Sequence, residues 1–349
     1  MKKLITFMVV LMAAFCTCVL CYFYMDTHPK KEVVKKKNLI TVGFAQVGAE
    51  SDWRTANSIS IKKTFSESKG YDLLFEDARQ MQDNQIKSIR KFIQQDVDYI
   101  VLAPVIEEGF ETVLEEASRA KIPVIVIDRK VSVPDNNLYT TWIGSDFYLQ
   151  GKKACECLNK YIIQKGMKDV NIVNIQGTLG STSQIGRSNA LNEACDKYGW
   201  NLVAQEPGDY TQAKSKEVMK NILKKTKDID FVYCENDNEA FGAIEAIKEA
   251  GLSVGENGGI KIISFDATKG GLKRTLSGEI LFDVECNPLQ GPEVENVIKM
   301  LEEGKTPNKE YYVKEQVFVH DSILTDVLVD GNKYDLLTVT DDYISERVY

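Results

Sequence analysis

From Leu39 onward, short apolar runs alternate with longer amphipathic stretches. That alternation predicts βαβ units wound into parallel sheets. LITVGFAQ (39–46) reads as a first strand, followed by a helix from about Asp52 to Lys69. YDLLFED, a helix around NQIKSIRKFIQQ, the strand DYIVLAP (98–104), a helix around 107–120 and the strand IPVIVID (122–128) complete one sheet. Asn137 to Gly144 reads as a short apolar connection, after which the pattern restarts. DVNIVNIQG (169–177), WNLVAQEPG, DIDFVYCEND (228–237), GIKIISFDA (259–267) and EILFDVECNP are the strands of a second half, with helices between them. Phe241, Ile244, Ile247 and Gly251 keep the spacing of one buried helix face. At 349 residues the chain is long for one core and suits two lobes.

A different pattern precedes this body. Lys2 and Lys3 are followed by a continuous apolar stretch from Leu4 to Tyr24, long enough at ~20 residues to cross a bilayer. Residues 1–25 therefore read as a secretory signal or membrane anchor, and residues 26–38 as a charged tether. An uncleaved anchor is favoured, because Phe15, Thr17 and Leu20 stand before the leader cysteines where a lipoprotein signal uses a small residue. An atypical lipoprotein is the second reading. The lysine balance opposes the anchor's expected orientation, since five lysines follow the stretch and two precede it.

The net charge is −8, yet seven of the 43 basic residues and only two of the 51 acidic ones fall within residues 1–37. The remaining body is more acidic still, which argues against nucleic acid as a partner. Beyond the leader stand Cys155, Cys157, Cys195, Cys234 and Cys286, an odd number without framework spacing, expected as buried free thiols. With only His28 and His320 available, no metal site or other cofactor is expected.

Candidate chemistry collects where the predicted strands end. Asp128 and Arg129 close the apolar run IPVIVIDR, at the carboxyl end of a strand, where open α/β sheets hold their ligands. A carboxylate accepts from hydroxyls and a planar guanidinium donates to several oxygens, so the pair suits a neutral polyol. A salt-bridged strand end is the competing reading. Gln46 exits the first strand, Arg187 follows QGTLGSTSQIG, and Asn236, Asp237, Asp266 and Glu285 end later strands. Asp237 and Asp266 are equally readable as helix N-caps. Trp53 either packs inward or stacks on the C–H face of a sugar ring, with Arg54 as a neighbouring donor.

VGFAQVGAESDWRTA, NQIKSIRKFI, APVIEEGFETVLEEASRAKIPVIVIDR, EVMKNIL and ENDNEAFGAIEAIKEAGL together resemble the type I periplasmic sugar-binding family, nearest to the galactofuranose binders of ABC importers. The resemblance runs from about Leu39 to Gly304. It implies two doubly wound αβα lobes with a three-strand hinge: 39–141 plus 288–306, and 143–285 plus 313–349, with crossings near Ile143, Cys286 and Glu310. It further implies that Asp128 and Arg129 hold ring hydroxyls and that Trp53 stacks. Arg187, Asn236 and Asp266 would come from the opposing lobe, and Glu285 from the hinge. Gln46, Glu50, Ser51 and Arg54 match the first loop of the galactofuranose binders. Gly186 before Arg187, the run NDNEAFG, and Cys286 after Glu285 depart from that pattern and bear on which sugar fits.

Rival readings are weaker. Gly177, Gly180 and Gly186 lack the spacing of a phosphate loop. Cleft carboxylates beside Arg or Asn stay ionised, which unsuits them as a glycosidase's general acid, so no enzyme activity is expected. A DNA-binding regulator with this body would begin with a helical domain instead of an apolar leader. The implied partners are a monosaccharide (galactofuranose-like, or a related pentose or hexose), an ABC permease, and the outer face of the cytoplasmic membrane; a cleaved leader would leave the protein periplasmic. A membrane sensor kinase is the alternative output. The globular part is expected to be monomeric.

Overall fold

The computed structural model describes residues 39–255, 259–321 and 324–349. The predicted membrane segment and the tether lie outside them. Among the described residues no helix is long and apolar enough to cross a membrane.

The first half builds the units β1 (Ile40–Gln46), α1 (Asp52–Thr64), β2 (Tyr71–Asp77), α2 (Gln82–Gln94), β3 (Tyr99–Leu102), α3 (Glu111–Arg119) and β4 (Val124–Ile127). Strands β3 and β4 are buried throughout, as expected of a parallel sheet covered on both faces. The stretch read as a connection becomes a strand in its second part: β5 (Thr141–Gly144) pairs parallel with β4 and with the late strand β11 (Glu310–Tyr312). Four residues are too few for periodicity to separate strand from loop, and the pairing comes from far along the chain. The sheet order is β11-β5-β4-β3-β1-β2. Ile61, Phe65 and Val101 pack on one face and Ile89, Phe92 and Leu114 on the other.

The second half continues with α4 (Phe147–Lys165), β6 (Asn171–Gln176), α5 (Thr182–Tyr198), β7 (Asn201–Pro207), α6 (Gln212–Lys225), β8 (Phe231–Cys234), α7 (Asp237–Glu249), β9 (Lys261–Asp266), α8 (Lys269–Leu276) and β10 (Ile280–Glu285). Helix α9 (Gly291–Glu302) then returns to the first sheet, where Val294, Val297 and Ile298 join its core and Asn57 Nδ2 donates to the Pro288 carbonyl at 3.0 Å. Beyond β11 the chain enters the second sheet again as β12 (Val317–Val319), antiparallel to β10, and later as β15 (Leu337–Thr338). That sheet runs β15-β12-β10-β9-β8-β6-β7, with a separate hairpin of β13 (Asp326–Val329) and β14 (Asn332–Asp335). Helix α10 (Asp341–Glu346) follows.

Each sheet belongs to one lobe, and the chain passes between lobes three times: after β5, after β10 and after β11. Among the described residues the five cysteines, Cys155, Cys157, Cys195, Cys234 and Cys286, are buried and free.

Candidate ligand-binding site

A cavity of about 20 Å³, room for roughly one water, lies between the lobes, at the carboxyl ends of their parallel strands. It is small beside the ~300–1,000 Å³ of drug-sized sites. Glu50, Ser51, Trp53, Arg54, Asp128 and Arg129 line it from the first lobe. Phe147, Ser183, Arg187, Tyr210, Asn236, Asp266 and Cys286 line it from the second lobe and the crossings.

The first-lobe wall is a charge lattice. Ser51 caps α1 by accepting from the Arg54 backbone N–H at 3.2 Å, which places Trp53 and Arg54 in the first helical turn. The Arg54 Nη2 donates to Asp128 Oδ2 at 2.6 Å and to Glu50 Oε1 at 3.2 Å. Arg129 Nη2 donates to the same Glu50 oxygen at 2.6 Å, and its Nη1 to the Val105 carbonyl at 2.9 Å. Asp128 and Arg129, adjacent in sequence, are only loosely paired at 3.8 Å. Two buried atoms of this wall, Arg129 Nε and Glu50 Oε2, keep no hydrogen-bond partner among the described residues. Leaving such groups unmet costs about 1–3 kcal/mol each, more when charged.

Opposite stands Arg187, whose Nε and Nη2 donate to Gln150 Oε1 at 3.1 and 2.8 Å while Nη1 donates to the Glu235 carbonyl. Asp266 lies 3.8 Å from Arg187 Nη2. Burial, only partly offset by Arg187, pushes the Asp266 carboxyl well above the usual carboxylate range. Asp128 and Asp266 each follow the core of a parallel strand and both take positive φ, +61° and +107°. That conformation is uncommon outside glycine and is one that functional sites tolerate.

Aromatic rings complete the walls. Trp53 is buried beside Phe147 and Cys286, and its Nε1 donates to the Cys286 carbonyl at 2.6 Å. It therefore packs inward and lines the cavity at once. The Arg129 guanidinium lies 5.1 Å from the Tyr210 ring centre, across the gap between lobes. Asn236 caps α7 through Oδ1 and donates from Nδ2 to the Tyr210 carbonyl at 3.2 Å. Further bonds join the lobes around the cavity: Glu107 N to Gly180 O at 2.9 Å, Lys130 N to Thr182 Oγ1 at 2.7 Å and Asp52 N to Asn238 Oδ1 at 3.0 Å.

Of the eleven residues that the resemblance assigns to the site, nine thus meet at one cavity and two do not. Gln46 stands behind it, with Oε1 3.4 Å from Arg54 Nη1 and its amide nitrogen donating to Asn57 and Ser58. Glu285 is corrected: it turns away from the cavity, accepting from Gln316 N at 2.9 Å, from Tyr349 Oη at 2.8 Å and from Arg347. Side chains alternate along a strand, so the next residue, Cys286, faces the cavity in its place. Of the two carboxylates readable as N-caps, Asp266 lines the cavity while Thr268 caps α8. Asp237 is buried instead, accepting from Ser264 and Thr268. Phe147, Ser183 and Tyr210 escaped the sequence reading. Tyr210 had a usable signal, since it follows the exit of β7, but an aromatic residue there carries no charge to draw attention.

The chain is 38% identical over 288 residues to the galactofuranose-binding protein YtfQ of Escherichia coli (strain K12), covering 81% of this chain and 89% of that one. A Mycobacterium smegmatis protein in complex with β-D-fucofuranose is 40% identical with a TM-score of 0.77, covering 80% of this chain and 91% of that one. The binding component of the arabinose ABC transporter from Shewanella sp. ANA-3, bound to α- and β-L-arabinofuranose, is 39% identical with a TM-score of 0.74, covering 80% and 92%. Residues 42–290 match the model of the periplasmic binding protein domain, and the chain belongs to that family.

Proposed function

We propose that this protein is an extracytoplasmic sugar-binding protein that closes on a neutral monosaccharide and delivers it to the permease of an ABC importer. The cavity carries the reading. Three guanidinium groups (Arg54, Arg129, Arg187) share the cavity with the Glu50 and Asp128 carboxylates and with Asp266, whose buried carboxyl holds its proton, so a cation meets the guanidinium groups and an anion meets the first-lobe carboxylates. The unmet Arg129 Nε and Glu50 Oε2 suit a hydroxyl, which accepts and donates through one oxygen. Trp53 and Phe147 offer apolar surface to a sugar's C–H face. A furanose or small hexose ligand agrees with the sugars that the relatives' names record.

The three crossings serve as a hinge in this reading, and the bonds between lobes as latches of the closed form. The apolar leader and tether hold the body at the outer face of the membrane.

A thermal-shift panel tests the proposal. Ligand at a hundred times its dissociation constant adds about 2.7 kcal/mol to the folded state. D-Galactose, L-arabinose or D-fructose should raise the melting temperature, and D-galacturonate, amino acids and nucleotides should not. Shifts confined to the charged compounds would overturn the sugar reading. Small-angle scattering should register compaction on sugar addition; binding without compaction would remove the hinge.

A further inference from the structure

Glu315 touches no part of the cavity, yet its carboxylate gathers all three crossings. It lies on the third, between β11 and β12. Its Oε1 accepts from Ser145 Oγ on the first crossing at 2.5 Å and from the Asn287 backbone N–H on the second at 3.0 Å. Its Oε2 accepts from Gln150 Nε2 at 2.6 Å, and the same nitrogen donates to the Glu285 carbonyl on the second crossing at 3.2 Å. Gln150 stands in the first turn of α4 and is the residue whose Oε1 receives two nitrogens of Arg187. An unbroken donor chain therefore runs from Arg187 in the cavity to Gln150 and on to Glu315 in the hinge.

The direction of that chain is dictated chemically. A guanidinium only donates and a carboxylate only accepts, so the Gln150 amide has one satisfactory orientation between them. We infer that Glu315 is a positioning residue for ligand binding. It locks the Gln150 amide that aims Arg187, and it ties that aim to the geometry of all three crossings. Closure and cavity assembly then become one event, because a crossing that shifts also releases Arg187. The inference rests on the sugar-site reading for its affinity readout, but not for its structural one.

Burial lifts Glu315 to about 7, so the test is run at pH 8.5, with the carboxylate ionised. In Glu315→Gln the single amide oxygen is held by the fixed Asn287 backbone N–H, so the new NH2 faces the Gln150 NH2. Relief requires Gln150 to flip, which turns its NH2 toward Arg187. Affinity for L-arabinose or D-galactose should fall at least tenfold. The paired variant Gln150→Glu/Glu315→Gln restores the donor order between Arg187 and residue 315, with both the guanidinium and the amide at 315 donating to a carboxylate at 150, and gives up only the 3.2 Å bond to the Glu285 carbonyl. It should recover affinity to within threefold of wild type.

Without any sugar, the Arg187 Nε–H resonance, assigned by its loss in Arg187→Lys, should move in Glu315→Gln and return in the paired variant. A resonance that stays put, a single variant binding within twofold of wild type, or a paired variant no better than the single one would each overturn the inference. If Glu315→Gln does not fold, Gln150→Met cuts the chain at its middle with similar volume and must show the same loss; binding within twofold of wild type would overturn it. A wild-type protein that binds neither sugar while the resonance still moves would sink the sugar reading and leave the relay standing.

Discussion

At the scale of single residues, the site is assembled from groups that satisfy each other incompletely. Arg129 is the sharpest case: two of its nitrogens hold Val105 and Glu50, and the third is left over. Arg129→Ala should abolish tight sugar binding, because removing one partner from a buried charged set costs roughly 2–5 kcal/mol. That is some 30-fold to several thousandfold in affinity. Titration calorimetry on the folded variant would check it, and affinity within threefold of wild type would make the residue structural. The prominence of Asp128 and Arg129 was legible in sequence, since an apolar run ending in two charges is unusual. Their true partners were not. Arg54 reaches Asp128 more closely than Arg129 does, by a contact spanning 74 residues that no local pattern encodes.

At the scale of elements, the loops after the parallel strands do the positioning, and small residues decide how close they come. A Cβ on Gly177 would lie 1.8 Å from the Tyr210 ring. This glycine, one of three weighed as a phosphate loop, is instead the floor beneath a cavity-lining aromatic. Gly177→Ala should cost roughly 1–3 kcal/mol, the usual range for overpacking. It should also weaken sugar binding by displacing Tyr210 from beside Arg129. Denaturant midpoints with and without sugar separate the two effects, and a variant as stable as wild type would show that the loop yields freely. The strand exits themselves were readable from the alternation of apolar and polar segments. Which side chain at an exit faces the cavity was not, because Glu285 and Cys286 differ only by the half-turn of a strand.

At the scale of the whole molecule, burial reaches carboxyl groups that line no part of the cavity, one in the second lobe and one on the third crossing. Burial pushes Glu235 up to about 7 from an ordinary 4.5, against the opposing pull of Ser188 and Gly177, and Glu315 likewise reaches about 7. Both groups hold their protons more tightly folded than unfolded. Their stabilising contribution is complete below about 4.5 and drains away as pH rises through about 7. Each unit of such a shift is worth ~1.4 kcal/mol. The ligand-free protein should therefore melt at a lower temperature at pH 8 than at pH 5.5. Glu235→Gln should flatten the profile, and a melting temperature that rises over this interval would contradict the assignment.

The sequence by itself determined the winding of both lobes, the strand ends where chemistry collects, and most of the groups that meet there. Period and polarity are local properties, set by how each residue partitions between core and water. Tertiary structure alone decided the rest: β5 and β11 completing one sheet across almost half the chain, Glu285 turned toward Arg347 and Tyr349, and Tyr210 brought over Arg129. Only it, too, made Glu315 the knot of three crossings. These are pairings between distant segments, chosen by which buried donors and acceptors find one another once the lobes have formed.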